Sequence, residues 1–269
     1  MKKISLLLLI GVAAVLPVSA KIVTKSVAYE HAGTKLTGFL AYDDEKAAAG
    51  KLPGVLVVPE WWGLSDFAKG RAKAIAKLGY VAFAADIYGN GVVTTDAKEA
   101  GKLAGAFYGK PLLAERTRAG LDELMKQAQV DPARVAAIGY CFGGAAVQAL
   151  AFSGAPVKGI VSFHGGFVGV PADAATKTTA KLLICHGAID PMATAEARDT
   201  FLHGLDDAKL DYQFVSYAGA VHAFTNPDAD KLAQSNGLKG IAYNAVAARR
   251  SWNEMKTFLK EVFYVEKAD

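Results

Sequence analysis

Short apolar runs and longer amphipathic segments alternate along most of this chain. Gly54-Val55-Leu56-Val57-Val58-Pro59 and Tyr80-Val81-Ala82-Phe83-Ala84-Ala85 are apolar throughout, the pattern of strands buried on both faces. Arg134-Val135-Ala136-Ala137-Ile138, Val157 to Phe163, Lys181 to Cys185 and Tyr212 to Tyr217 read as further strands. Between them lie helical segments: Asp66 to Leu78, closed by Gly79, then Asp96 to Phe107, Leu112 to Gln129, Ala195 to Leu205, and a long terminal helix from Ile241 to Phe263. At the front, Ile22 to Glu30 and Lys35 to Tyr42 flank His31-Ala32-Gly33-Thr34, an opening hairpin. Asp43 to Leu52 reads as a polar loop, and Asp131-Pro132 as the cap of the loop before the strand that follows. Strands alternating with helices predict an α/β fold with a mostly parallel sheet covered on both faces. No repeat or low-complexity linker divides it, so residues 21–269 are expected to form one domain.

The first twenty residues break this pattern. Lys2 and Lys3 precede a nearly unbroken apolar run from Ile4 to Leu16, and Val18-Ser19-Ala20 closes it with small residues. That is the layout of a cleaved secretory signal peptide. An uncleaved signal anchor is the alternative, although the run is short for a membrane span. The mature chain is expected to begin at Lys21 and to work in the periplasm or outside the cell. No later segment approaches the roughly 18 consecutive apolar residues of a spanning helix, so no membrane association is expected after cleavage.

Composition narrows the field. The formal charge of +4 comes from 30 Lys and Arg against 26 Asp and Glu. Removing Lys2 and Lys3 leaves a near balance, and no dense basic cluster argues for nucleic acid. Only Cys141 and Cys185 are present, too few for a disulfide-stapled secreted domain. They are not expected to pair, because each ends a predicted strand and another strand lies between.

The candidate chemistry centres on Gly139-Tyr140-Cys141-Phe142-Gly143-Gly144. An apolar strand runs into a tight glycine turn and then into the helix former Ala145-Ala146-Val147-Gln148-Ala149-Leu150-Ala151. A nucleophile elbow requires this context, with sulfur here in place of the serine hydroxyl. A helix N-terminus beside Cys141 favours the thiolate. The competing reading is a buried structural cysteine in a glycine-rich turn.

A cysteine nucleophile needs a base and a group to orient that base. After Cys141 come His186-Gly187-Ala188-Ile189-Asp190-Pro191 at one strand end and His222-Ala223-Phe224 in a glycine-containing loop after another. His222 has the chain order and setting expected of the base, and Asp190 of its partner. His31 in the hairpin turn and His203 on a helix read as surface residues. His164 and His186 end strands and could both lie near the site, His186 more readily in a buried structural hydrogen bond. Asp190 could also be a turn residue before Pro191, while Asp206 and Asp207 read as surface charge. Glu60 ends a buried strand, where a carboxylate is costly unless paired or protonated; a helix-capping or loop salt-bridge role is the alternative. No cluster has metal-ligand spacing, and neither metal nor cofactor is expected.

Taken together, the elbow, the His186–Asp190 loop, the His222 segment and Glu60 resemble the dienelactone hydrolase family across essentially the whole mature chain. The resemblance implies a single α/β-hydrolase domain, a Cys141-His222-Asp190 triad, and a Glu60 that contacts the nucleophile and controls its ionisation. It implies an oxyanion hole formed by the backbone N–H groups of Phe142 and Trp61. Two positions depart from the family. Members that hydrolyse dienelactone grip its carboxylate with arginines at positions that here read as Asn90 and Asn226, neither able to make a bidentate charged contact. The expected activity is therefore hydrolysis of a small-molecule carboxylic ester or lactone other than dienelactone, through a thioester acyl-enzyme. Trp61 and Trp62 suggest an apolar pocket, although one of them could pack under the first helix. The alternative is a catalytically silent binding or thiol-redox protein, against which stands the lack of a Cys-x-x-Cys pair. The protein is expected to act as a monomer.

Overall fold

A computed structural model describes residues 21–264 of the chain; the signal peptide read at residues 1–20 lies outside them. Eight strands form one sheet in the order β1-β2-β4-β3-β5-β6-β7-β8. β1 (Ile22–His31) and β2 (Thr34–Asp43) form the expected hairpin and join the sheet antiparallel. β3 (Leu52–Val58), β4 (Val81–Ala84), β5 (Val130–Tyr140), β6 (Gly159–Phe163), β7 (Lys181–Gly187) and β8 (Tyr212–Tyr217) run parallel to one another. Parallel strands require crossovers, and helices supply them on both faces. One apolar layer fills the side of Leu56, Ala137 and Phe142, and the other that of Val55, Ile138 and Phe163. Each of the Val, Leu, Ile and Phe side chains, once fully buried, contributes about 1.5–3 kcal/mol.

The helices largely follow the sequence pattern: α2 (Asp66–Lys77), α3 (Ala97–Gly105), α4 (Leu112–Lys126), α5 (Phe142–Phe152), α7 (Ala195–Asp207) and α9 (Ala245–Tyr264). Four local expectations need correction. The loop after β2 contains a short helix, α1 (Asp44–Ala48), because the Asp43 carboxylate accepts from the Glu45 and Lys46 N–H groups. Asp131-Pro132 lies inside β5 rather than before it, where the pairing with β3 shifts register between Pro53 and Gly54. α9 begins at Ala245 because Ile241 instead bridges the backbone of His222. Two helices were not anticipated, α6 (Ala174–Lys177) and α8 (Ala229–Asn236).

The topology sets the site. The C-terminal ends of β3, β5, β6, β7 and β8 lie on one edge of the sheet, and the loops leaving them carry Glu60, Cys141, His164, Asp190 and His222. Among the described residues no helix is long and apolar enough to cross a membrane.

Candidate active site

β5 ends at Tyr140 and α5 begins at Phe142, so Cys141 alone makes the turn. Its φ of 53° and ψ of −113° are strained for a side-chain-bearing residue. The glycines around it allow that turn. A Cβ on Gly139 would strike the backbone of Gly143, and one on Gly143 the carbonyls of Val58 and Pro59. The elbow is thus pressed directly against the end of β3. Both cysteines are free, Cys185 is fully buried, and β6 separates their strands.

Asp190 and His222 arrive from neighbouring strand ends. His222 Nδ1 lies 2.9 Å from Asp190 Oδ2, and both side chains are buried. Asp190 Oδ1 accepts from the Met192 N–H at 2.9 Å, which fixes the carboxylate. With Nδ1 committed to Asp190, the ring presents Nε2, which is buried and has no hydrogen-bond partner among the described residues. Burial lowers the proton affinity of His222, but its interactions with Cys141 and with the Asp190 carboxylate outweigh it and push the ring up to about 10. His222 and Cys141 both line a cavity of about 330 Å³, with Glu60, Trp61, Trp62 and Asn226 in the same wall.

Burial, the largest influence, pushes the Glu60 carboxyl up to about 7, and a bond from Asn226 offsets part of that rise. Asn226 Nδ2 donates to Glu60 Oε2 at 2.7 Å. Among the described residues it is the one hydrogen bond of the Glu60 side chain, and none runs to Cys141. Asn226 therefore faces the cavity with its amide already engaged. Asn90 does not join the site: it sits exposed on a left-handed turn with φ 55°, its N–H held by the Lys35 carbonyl. The Asp86 carboxylate draws that turn in by accepting from the N–H groups of Gly89 and Gly91.

The Phe142 and Trp61 N–H groups donate to no acceptor among the described residues. Both flank the cavity end of the elbow, where free donors suit a developing oxyanion. Tyr88, which the sequence did not single out, donates its hydroxyl to the Trp61 carbonyl at 2.7 Å and steadies that loop.

His164, which the sequence placed near the site without a role, supports Cys141. It takes a φ of 40°, is fully buried, and accepts the Cys141 N–H on Nδ1 at 3.2 Å. Its proton then sits on Nε2, which donates to Thr225 Oγ1 at 2.7 Å. Burial, aided by the charges of His222 and Arg71, holds its pKa well below the usual histidine range. His164 is thus a neutral strut under Cys141, edge-on to the His222 ring at 5.4 Å between centroids. Arg71 completes the support. It lies over the rings of Phe67, Tyr140 and Trp252 and donates to the Thr225 carbonyl at 2.6 Å. His186 departs from expectation: its buried Nδ1 has no partner, and the ring packs against Phe167 and Phe214 instead. His203 is exposed, and His31 accepts from Arg116 at 3.2 Å. Among the described residues no group of three or more His, Cys, Asp or Glu side chains is placed to hold a metal ion.

The profile of the dienelactone hydrolase family matches residues 37–263. A putative carboxymethylenebutenolidase of Saccharolobus solfataricus is 24% identical over 88% of this chain and 98% of its own. A probable 2-oxo-3-(5-oxofuran-2-ylidene)propanoate lactonase of Bradyrhizobium sp. is 26% identical over 85% of this chain and 91% of its own. Among solved structures, a dienelactone hydrolase-like promiscuous phosphotriesterase from metagenomic libraries superposes with a TM-score of 0.85. It is 39% identical and covers 91% of this chain and 100% of its own.

Proposed function

The chain belongs to the dienelactone hydrolase family and is a hydrolase of that type, and from that premise we propose that it cleaves carboxylic esters or lactones with Cys141 as nucleophile. The observation that carries this reading is the line Asp190–His222 running into the cavity that Cys141 lines.

In the proposed reaction His222 takes the thiol proton and the sulfur attacks the substrate carbonyl. The carbonyl oxygen, now negative, is held by the Phe142 and Trp61 N–H groups, each such donor typically being worth about 3–4 kcal/mol of barrier. His222, held by Asp190, protonates the departing alcohol, leaving a thioester on Cys141. The same ring then draws a proton from water, which displaces the sulfur and releases the acid. The raised proton affinity of His222 supports this cycle, because such a ring readily takes the thiol proton and holds it for the departing alcohol. The free state of Cys141 speaks against a disulfide role.

Asn226 tied to Glu60, and Asn90 outside the cavity, support a substrate other than dienelactone itself, since neither offers a charged grip on its carboxylate. The leader read at residues 1–20 supports a periplasmic or secreted mature chain acting on a small molecule. The test is a panel of dienelactone, short p-nitrophenyl esters and a phosphotriester, run on the purified protein and on Cys141→Ser. Neutral esters are expected to be turned over best, with turnover lost in the variant. Ester hydrolysis surviving in Cys141→Ser would reject the nucleophile, and a strong preference for dienelactone would reject the substrate reading. The phosphotriester asks whether the activity named for the metagenomic relative extends to this chain.

A further inference from the structure

Two clefts adjoin the cavity at Cys141, one almost wholly apolar and one that mixes apolar and charged side chains. One, of about 820 Å³, opens between α4 and α5 and the segment after β6. Leu113, Ala114, Ala149, Phe152, Phe167 and Val168 line it, and its polar side chains Lys110, Glu115 and Ser153 are exposed at the rim. It shares Tyr108 and Gly166 with the catalytic cavity. Tyr108, 46% exposed, stands between the two spaces. The other cleft, of about 600 Å³, shares Trp62, Asn226 and Leu232 with the cavity; Leu64, Phe67 and Val93 line it together with the charged Asp66, Lys69, Asp228 and Lys231.

Resting on the ester-hydrolase reading, we propose that the apolar cleft beyond Tyr108 and Gly166 receives the acyl chain of the substrate. The substrate class is then an ester of a medium to long apolar acid. The direction follows from the chemistry of the leaving group. The alcohol must lie against His222 to be protonated as it departs. The segment that follows His222 carries Ala223 and Asn226 along the cavity wall and leads to the cleft that carries the charged Asp66, Lys69, Asp228 and Lys231. The acyl end therefore extends the opposite way, past Tyr108. Dimensions agree with this assignment: a cavity of about 330 Å³ holds the reacting carbonyl and a short chain, and a longer chain needs the added space.

The test uses the full chain with two substrate series, p-nitrophenyl esters of acids from two to ten carbons and acetates of alcohols of matching length. Burial of a methylene is worth roughly fourfold when complete, so in this open cleft kcat/KM is expected to rise at least tenfold from acetate to octanoate. Ala149→Trp fills the cleft from α5, and Ala114→Trp from α4; both positions are half-buried and outside the reacting groups. Each is expected to cut the octanoate-to-acetate ratio at least tenfold, with folding checked by circular dichroism. A flat acyl-length profile in the wild type would overturn the proposal. So would a rise that follows the alcohol instead of the acid, or a ratio that both folded variants leave unaltered. The wild-type profile decides even where a variant does not fold. Absence of all ester hydrolysis would instead count against the underlying function, which keeps the two failures apart.

Discussion

Replacing Glu60 by glutamine should change the pH dependence of stability in a direction the site dictates. Burial at the end of β3 pushes the carboxyl from 4.5 up to about 7, and the Asn226 amide recovers part of that cost. Below the unfolded value both states hold the proton, and the contribution to stability is fully present. As pH rises from 4.5 towards about 7 the unfolded chain releases its proton while the folded chain keeps it, so stability is lost across that window. At about 1.4 kcal/mol for each pH unit, the whole span corresponds to about 3 kcal/mol. Glutamine is close in shape, can still accept from Asn226 and cannot titrate. Urea unfolding of Glu60→Gln and wild type, measured from pH 4.5 to 8, should therefore diverge steadily, with the variant gaining up to about 3 kcal/mol relative to wild type. The difference between the two curves removes the contributions of other groups. Parallel curves would refute the reasoning, and so would a gap that widens towards acid.

Two further outcomes follow from the same contacts. Asn226→Leu removes the amide that donates to Glu60 Oε2, so the carboxyl should titrate above about 7, and the stability midpoint in the pH series should move upward; a midpoint that stays or falls would count against the bond. Asp190→Asn removes a charge that raises His222 and favours the wrong tautomer, so the histidine should titrate below about 10 and kcat/KM should drop about 10³–10⁴-fold. Titration by NMR together with ester turnover reads both effects, and a variant with unchanged rate would remove Asp190 from the mechanism.

The sheet was legible because its strands carry their own signature. Val55 to Val58 and Val81 to Ala84 are buried on both faces, and a wholly apolar run has few other uses. Cys141 was legible for a similar reason, since Gly139, Gly143 and Gly144 announce a backbone approach that other residues forbid. α8 was missed because it buries only Ala229 and Ala233 against the molecule, too narrow a stripe to register as a period. α1 buries nothing, and its existence rests on the Asp43 cap. The partners of site residues were the least accessible. Glu60 and Asn226 are 166 positions apart, and Tyr88 reaches back to Trp61. His164 stood out as a strand-end histidine, but its role depends on a left-handed turn that swings Nδ1 under Cys141, and no local pattern marks that turn.

The placement of the reacting groups also sets a schedule. Glu60, Cys141, Asp190 and His222 leave four different parallel strands, and β8, which delivers His222, lies at the edge of the sheet and comes last along the chain. Loop-closure entropy makes contacts this distant in sequence slow to form. Until β8 docks, Cys141 sits at the end of β5 without His222 near it. Under the mechanism proposed above, a refolding chain lacks the base for its thiol until that docking and gains it only then. The onset of thiol reactivity would, on that mechanism, be a clock for completion of the sheet.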